Sequence, residues 1–273
     1  FLFSGGVALN SASLDSLAKL DFVDEIVVPP SPGDAGAAIG AAFSAYLKCD
    51  TNINKKIIRP SLFPSNYKTS DQIDQVKKII NDGFRFLSRT KNESLQIAAD
   101  LIKEGHILGT LFENTETGPR ALGNRSLICD GTNKKAVETL NLQIKNRSPF
   151  RPTAPAMKLE TAKKYYELNP ALITCYLSMT ATCKCKPDSK AFNFPTTHVD
   201  STARIQIVQP NSLLDQIIDE LRRTEAEIEI LANSSLNLSG DPTCFDLIDV
   251  LMVSSLRPLK YIYTDFGILR KKT

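Results

Sequence analysis

The chain has 273 residues, 42% of them hydrophobic and 23% charged, the balance of a folded globular protein rather than a disordered or fibrous one. Its 33 basic and 30 acidic residues leave a net charge of +3, too near neutrality to argue for a nucleic-acid polymer, while small anionic ligands need only a few local cations. No apolar run reaches the roughly 18–20 residues of a membrane span, and no signal peptide is visible. Of six cysteines only Cys183 and Cys185 are close, with no C-x-x-C pair and no histidine nearby. That argues against a zinc site and for free thiols in a reducing cytoplasm.

Phe1 to Asn10 reads as a strand running into a Gly turn, and a start in mid-strand implies sequence upstream. Ser11–Lys19 reads as a short helix and Glu25–Val28 as a strand. Pro29, Pro30, Pro32 and Gly33 form a loop. Gly36–Leu47 is an Ala-rich helix whose small residues predict close packing. Thr51–Thr69 is the expected linker. Ser70-Asp71 caps a helix with Ile73, Val76, Ile79 and Ile80 on one face. Ser94–Lys103 is a second amphipathic helix, ended by Gly105. Ile107–Phe112 follows as a strand and Lys134–Leu142 as a helix. Ile173–Met179 and Arg204–Val208 are expected strands. Leu213–Thr224 is a helix, Glu227–Ala232 a strand, Phe245–Val253 a helix and Lys260–Tyr263 a final strand. The mixture predicts an α/β (α+β) layer.

Six polar clusters punctuate these elements. Glu116–Ser126 carries two glycines, which let a backbone approach a ligand, and Arg120 and Arg125, whose fork-shaped donors suit phosphate or carboxylate. The competing reading is a surface loop with locally paired arginines. Lys145, Arg147 and Arg151 place three cations within seven residues, on a segment stiffened by Pro149 and Pro152. His198 lies two residues from Asp200, which could orient it as a base; a structural histidine reads equally well. Asn233–Gly240, with Ser235 and Asn237, follows a strand and forms a polar cup, or simply an Asn/Ser turn. Gly5 and Gly6 make a turn of the kind that offers backbone N–H groups to phosphate. Asp34 stands between glycines at a helix start, as a cap or a metal ligand.

Taken in order, six segments resemble the family of antibiotic and nodulation-factor O-carbamoyltransferases: S-G-G-V-A-L-N (4–10), G-D-A-G-A-A-I-G-A-A (33–42), G-P-R-A-L-G-N-R-S (118–126), L-N-x-x-I-K-N-R-S-P-F-R-P-T-A-P (140–155), T-H-V-D-S-T-A-R-I-Q (197–206) and N-S-S-L-N-L-S-G-D-P (233–242). The resemblance implies the C-terminal piece of an actin-like ATPase-fold domain over residues 1–60. A YrdC-like mixed-sheet domain would follow over 61–273. The YrdC-like part would form carbamoyl adenylate from carbamoyl phosphate and ATP. The actin-like part would hold the adenylate beside a metal, often iron, and pass the carbamoyl group to a hydroxyl.

By the same resemblance Lys145, Arg147, Ser235 and Asn237 match the K-x-R and S-x-N of YrdC-like domains. Arg120, Arg125, Arg151 and Arg204 match arginines of one cleft, and His198 would sit near the carbamoyl end. Gly5, Gly6 and Asn10 match an adenylate-binding turn, and Asp34 a carboxylate ligand of the transfer-site metal. The implied cofactors are ATP, with Mg, and an iron-type ion. The implied partners are carbamoyl phosphate, a hydroxyl-bearing small molecule, the upstream domain of the same protein and a second copy in a homodimer. Four segments depart from the family pattern: Ser148 replaces an acid, Asp130-Gly131-Thr132 replaces Asp-Pro-Arg, Ser201 replaces a Gly, and S-S-L-N replaces T-S-F-N. The competing function is a non-catalytic nucleotide-binding module using the same cleft. A third, an RNA-binding domain, is disfavoured by the near-neutral charge.

Overall fold

The computed structural model describes residues 1–49, 62–64, 80–112, 114–148, 150–151, 153–224 and 226–272. The helices are α1 (Ser11–Leu17), α2 (Asp34–Cys49), α3 (Lys91–Lys103), α4 (Lys134–Glu138), α5 (Leu159–Tyr165), α6 (Ile173–Ser178), α7 (Leu213–Arg223) and α8 (Leu247–Leu256). The strands are β1 (Leu62–Pro64), β2 (Phe84–Ser88), β3 (Leu108–Leu111), β4 (Asn114–Glu116), β5 (Ser126–Asp130), β6 (Ala154–Met157), β7 (Tyr166–Glu167), β8 (Ala181–Cys185), β9 (Thr202–Ile207), β10 (Ile230–Ser235), β11 (Tyr261–Thr264) and β12 (Gly267–Lys271). Ten strands form one mixed sheet in the order β2-β12-β11-β3-β5-β10-β6-β9-β8-β7. Only β11–β3 and β6–β9 run parallel. The fold is α+β, as expected.

Apolar periodicity explains the layers. On α3, Ala98, Ala99 and Ile102 are buried, and on α7 Leu214, Ile217, Ile218 and Leu221; together they form one core against Leu108, Ile128 and Leu231. Ser212 caps α7 by accepting from the Asp215 amide at 3.3 Å. A second core joins α4 and α8 to the sheet through Val137, Leu140, Leu247 and Val250. The third reaches across the chain: Ala8, Leu14, Ile26 and Val28 pack with Tyr166, Tyr176, Ala203 and Ile205. The segment before residue 50 therefore shares its core with β8 and β9.

Several expectations change. Ile173–Met179 is helix α6, not a strand. Asn169 starts this stretch by accepting from the Ala171 amide at 2.9 Å, beside Pro170 at the first turn, and local capping overrides the β-branched composition. The opening strand is reduced to one parallel bridge, Leu2 with Val27. The Ala-rich α2 is a 16-residue helix with no buried residue, and the close approach made by its small residues is Gly36 against the Ser31 carbonyl. The helix from Lys134 continues beyond α4 as a π-helix, Thr139–Ile144. The expected linker and the helix from Ser70 lie outside the described residues, apart from β1 and the buried Ile80. Eight elements gave no readable signal: β2, β4, β5, β6, α5, β7, β8 and β12.

Candidate active site

Lys145 ends the π-helix, its amide bonded to the Leu140 carbonyl at 2.9 Å. Asn146 then turns left-handed at φ 46°, and Arg147 returns its amide to the Asn141 carbonyl at 3.1 Å. Single π turns recur at functional sites because they re-aim the next side chains. Here the re-aimed groups are Lys145 and Arg147.

The Lys145 ammonium is buried. It donates to the Ser235 carbonyl at 2.8 Å, the Asn237 carbonyl at 3.0 Å and the Asn237 Oδ1 at 2.5 Å. Ser235 Oγ donates to the same Oδ1 at 2.6 Å. The K-x-R and S-x-N segments, 90 residues apart, thus meet. Arg147 Nε donates to Asn141 Oδ1 at 2.8 Å and its Nη2 to Thr153 Oγ1 at 2.9 Å. Asn141 is itself buried and takes a further bond from Thr153 Oγ1 at 2.9 Å.

The cations gather. Burial, then Arg147, lowers the Lys145 ammonium to about 8. Burial, then Arg151 and Arg204, lowers Arg147 to about 10. Burial lowers Arg204, with Arg151 adding, and lowers Arg120, with Arg204 adding. Each of these four groups therefore feels another cation of the set. Arg120, Lys145, Arg147 and Arg151 have no carboxylate partner among the described residues. Concentrated positive charge of this kind suits an anionic ligand.

The loop that carries Arg120 is held by groups the sequence reading passed over. Glu116 Oε1 accepts from the amides of Leu122, Asn124 and Arg125 at 2.8, 2.9 and 3.3 Å. Buried Thr110 donates to the Gly123 carbonyl at 2.7 Å and accepts from the Ser126 amide at 2.9 Å. Glu116 stands in the loop motif itself, but nothing in its spacing signals that it binds backbone. Thr110 sits in an apolar strand and gave no signal.

Arg125 does not join the cluster. It is 1% exposed, and its guanidinium donates to the carbonyls of Phe112, Asn124 and Phe245. It clips β3, the loop and the entry to α8 together, so the expectation that it binds nucleotide is corrected. Asp200 is also reassigned. Its Oδ1 accepts from the Thr202 amide at 3.0 Å and hydroxyl at 2.7 Å, which makes it a turn residue, not the orienter of His198. His198 Nδ1 lies 3.4 Å from Thr202 Oγ1. Burial, then Arg204, lowers this imidazole, leaving it neutral at pH 7.

The N-terminal segment reaches the same loop. Arg120 Nη2 donates to the Leu9 carbonyl at 2.8 Å, within the 3₁₀ turn Gly6–Leu9. Ser31 Oγ donates to the Thr117 carbonyl. A Cβ on Gly118 would stand 1.8 Å from the Pro30 oxygen, so only glycine permits this approach. Gly5 holds φ 98°, and Asn10 caps α1 by accepting from the Ala12 amide at 3.1 Å. Asp34 is exposed at the first position of α2, on a groove of about 1000 Å³ between the 27–34 loop, α6 and Pro210. None of the clustered cations lines that groove. Among the described residues no three His, Cys, Asp or Glu side chains gather to hold a metal. Asp34 alone does not fit the iron-type ion expected beside it. No helix of the described residues is long and apolar enough to cross a membrane.

The chain matches the family described as Carbamoyltransferase C-terminus over residues 99–271. It is 30% identical over 263 residues to an uncharacterized protein of Synechocystis, covering 88% of this chain and 42% of that protein. It is 26% identical over 272 residues to nodulation protein NolNO of Sinorhizobium fredii, covering 99% and 39%. Over 242 residues it is 25% identical to 3'-hydroxymethylcephem-O-carbamoyltransferase of Streptomyces clavuligerus, covering 87% and 42%. The chain thus spans about two fifths of the length of these relatives. Among solved structures, HypF of T. kodakarensis superposes with a TM-score of 0.48 at 18% identity, covering 64% of this chain and 21% of its own.

Proposed function

Because the chain belongs to the Carbamoyltransferase C-terminus family, we propose that it is the part of an ATP-dependent O-carbamoyltransferase that forms carbamoyl adenylate. The observation that carries this reading is the gathering of Lys145, Arg147, Arg120, Arg151 and Arg204, each coupled electrostatically to another of the set and, for the first four, without a carboxylate partner among the described residues. Loss of inorganic phosphate from carbamoyl phosphate, with water, leaves carbamate. A carbamate oxygen then bonds to the α-phosphorus of Mg-bound ATP, the α–β bridge breaks, and pyrophosphate leaves. Charge accumulates on the phosphoryl oxygens and the leaving group, where fixed guanidinium donors stabilise it.

Lys145 has a narrower role. Four bonds to the Ser235–Asn237 turn hold it in place, and it presents its charge from a dry position where a phosphate gains most. Neutral His198, beside Arg204, would accept or donate a hydrogen bond at the carbamoyl end. In this reading residues 61–273 carry the adenylate chemistry. Residues 1–60, with Gly5, Gly6, Asn10 and Asp34, belong to a transfer part whose remaining groups lie in the longer relatives' other segments. The hydroxyl acceptor, the transfer-site ion and the pairing of two copies belong to that larger assembly.

The test is substitution. Arg120→Ala or Lys145→Ala abolishes ATP-dependent phosphate release from carbamoyl phosphate, with unchanged circular dichroism. Unaltered turnover in both variants sinks the mechanism. The second reading, a nucleotide-binding module without catalysis, is favoured by the loop after β5. There Asp130 Oδ1 caps Thr132 at 2.8 Å and no arginine follows. ATP binding without phosphate release would select that reading.

A further inference from the structure

Asn141 and Thr153 are buried, at 5% and 2% exposed, and they meet because the chain turns back on itself across the cationic segment. Asn141 sits in the π-helix Thr139–Ile144, and Thr153 immediately precedes β6. Arg147 and Arg151 lie on the stretch between them. The polarity of the contacts is fixed by chemistry. A guanidinium nitrogen can only donate, so Asn141 turns its Oδ1 toward Arg147 Nε, at 2.8 Å. For the same reason Thr153 Oγ1 accepts from Arg147 Nη2, at 2.9 Å. The single hydroxyl proton of Thr153 then goes to Asn141 Oδ1, at 2.9 Å. These three bonds close a ring through Arg147, and its amide adds a bond to the Asn141 carbonyl at 3.1 Å.

The ring takes two of the five guanidinium N–H groups and leaves three for a ligand. It orients the fork without cancelling its charge. A buried arginine is ordinarily paired with a carboxylate, which aims the fork and neutralises it in one contact. Here an amide and a hydroxyl do the aiming. The full positive charge remains, and it feels Arg151 and Arg204. A carboxylate in place of the Asn141 amide would have the same shape and accept the same two bonds. It would also set a negative charge against Arg147 in a dry position, where the two attract most strongly. The choice of amide over acid therefore decides how much charge the cluster offers to an anion.

We propose that Asn141, seconded by Thr153, is a positioning residue for the anion that the cluster binds: it presents the Arg147 guanidinium in one orientation and with its charge undiminished. Asn141 acts through Arg147 rather than on the substrate. Donors fixed before the ligand arrives need no reorganisation when charge develops on it, so the same ring serves the phosphoryl chemistry assigned to the cluster. The assignment rests on the reading that the cluster binds phosphates, and it adds the group that sets one arginine's direction and net charge.

The experiment is calorimetric titration of inorganic tripolyphosphate into the unmodified chain, Asn141→Ala, Arg147→Ala, the double variant and Asn141→Asp, with the thermal midpoint of each. Asn141→Ala frees the fork and should weaken binding about fivefold, and Arg147→Ala about tenfold. The double variant should bind no more weakly than Arg147→Ala, because Asn141 acts through that arginine; losses that multiply overturn the proposal. Asn141→Asp keeps the shape and both acceptor bonds. Its midpoint should stand at or above that of the unmodified chain while its affinity falls about tenfold or more. Undiminished affinity in Asn141→Asp overturns the argument from charge. Thr153→Val, of the same shape, removes two bonds of the ring and guards against a folding defect in Asn141→Ala; unchanged affinity in both overturns the positioning role. These changes in affinity without phosphate release from carbamoyl phosphate would remove the adenylate-forming function and uphold the positioning role. No binding of tripolyphosphate by the unmodified chain overturns both.

Discussion

Lys145 loses charge near pH 8 in the free protein because burial and Arg147 both disfavour the ammonium. An anion in the cluster favours the charged form. Below pH 8 the lysine is already protonated and affinity should be flat. Above it, binding must take up a proton, so affinity should fall toward about tenfold per pH unit. Titration of ATP between pH 6.5 and 9.5 checks the sign; a flat profile would remove Lys145 from the anion site. Ser201 gives a second residue-scale prediction. It occupies φ 62° in the His198–Thr202 turn, where the family pattern has Gly. The left-handed conformation costs a side-chain-bearing residue about 1–2 kcal/mol, and glycine's extra unfolded-state freedom returns part of that. Ser201→Gly should therefore raise stability by about 0.5–1 kcal/mol in denaturant unfolding. Lys145 and Ser235 were legible because motifs quote side chains. Thr110, which anchors the loop through two hydrogen bonds, was not, because one buried polar residue in an apolar strand leaves no periodic trace.

The loop between β4 and β5 works through backbone. Glu116 takes three of its amides, Thr110 anchors its far end, and Gly118 lies against Pro30. Gly118→Ala should force the 27–34 segment away, costing about 1–3 kcal/mol through overpacking and loosening Arg120 from Leu9. Proteolysis should then cleave within residues 27–34 faster than in the unmodified protein; an equal rate would contradict the contact. Helices α3 and α7 were readable because their apolar residues recur at helical spacing. α6 was misread because Ile173, Thr174 and Tyr176 favour strands by composition, while the Asn169–Pro170 start that decides the matter is a capping effect. Strands β5 and β6 went unread because both are buried in mid-sheet and show no alternation.

Across the molecule, one core joins the N-terminal segment to the far edge of the sheet. Ile26 and Ile205 are both fully buried in it. Ile26→Ala and Ile205→Ala should each cost about 2–5 kcal/mol, and each should shift a single unfolding transition. Two separate transitions, with only one moved by Ile26→Ala, would contradict a shared core. This junction was beyond the sequence reading, which divided the chain at residue 60. Contacts between residues 26 and 171–175 carry no local signature. The order of the six motifs was legible; that Arg120 would tie the first of them to the third was not.

Whether the clustered cations form carbamoyl adenylate, as proposed, is decided by measuring phosphate and pyrophosphate released from carbamoyl phosphate and Mg-ATP by this chain, with each substrate omitted in turn. The account predicts both products when both substrates are present, and loss of both in Arg120→Ala. Tight ATP binding with no pyrophosphate from the unmodified chain would contradict it, leaving a cleft that recognises a nucleotide without acting on it.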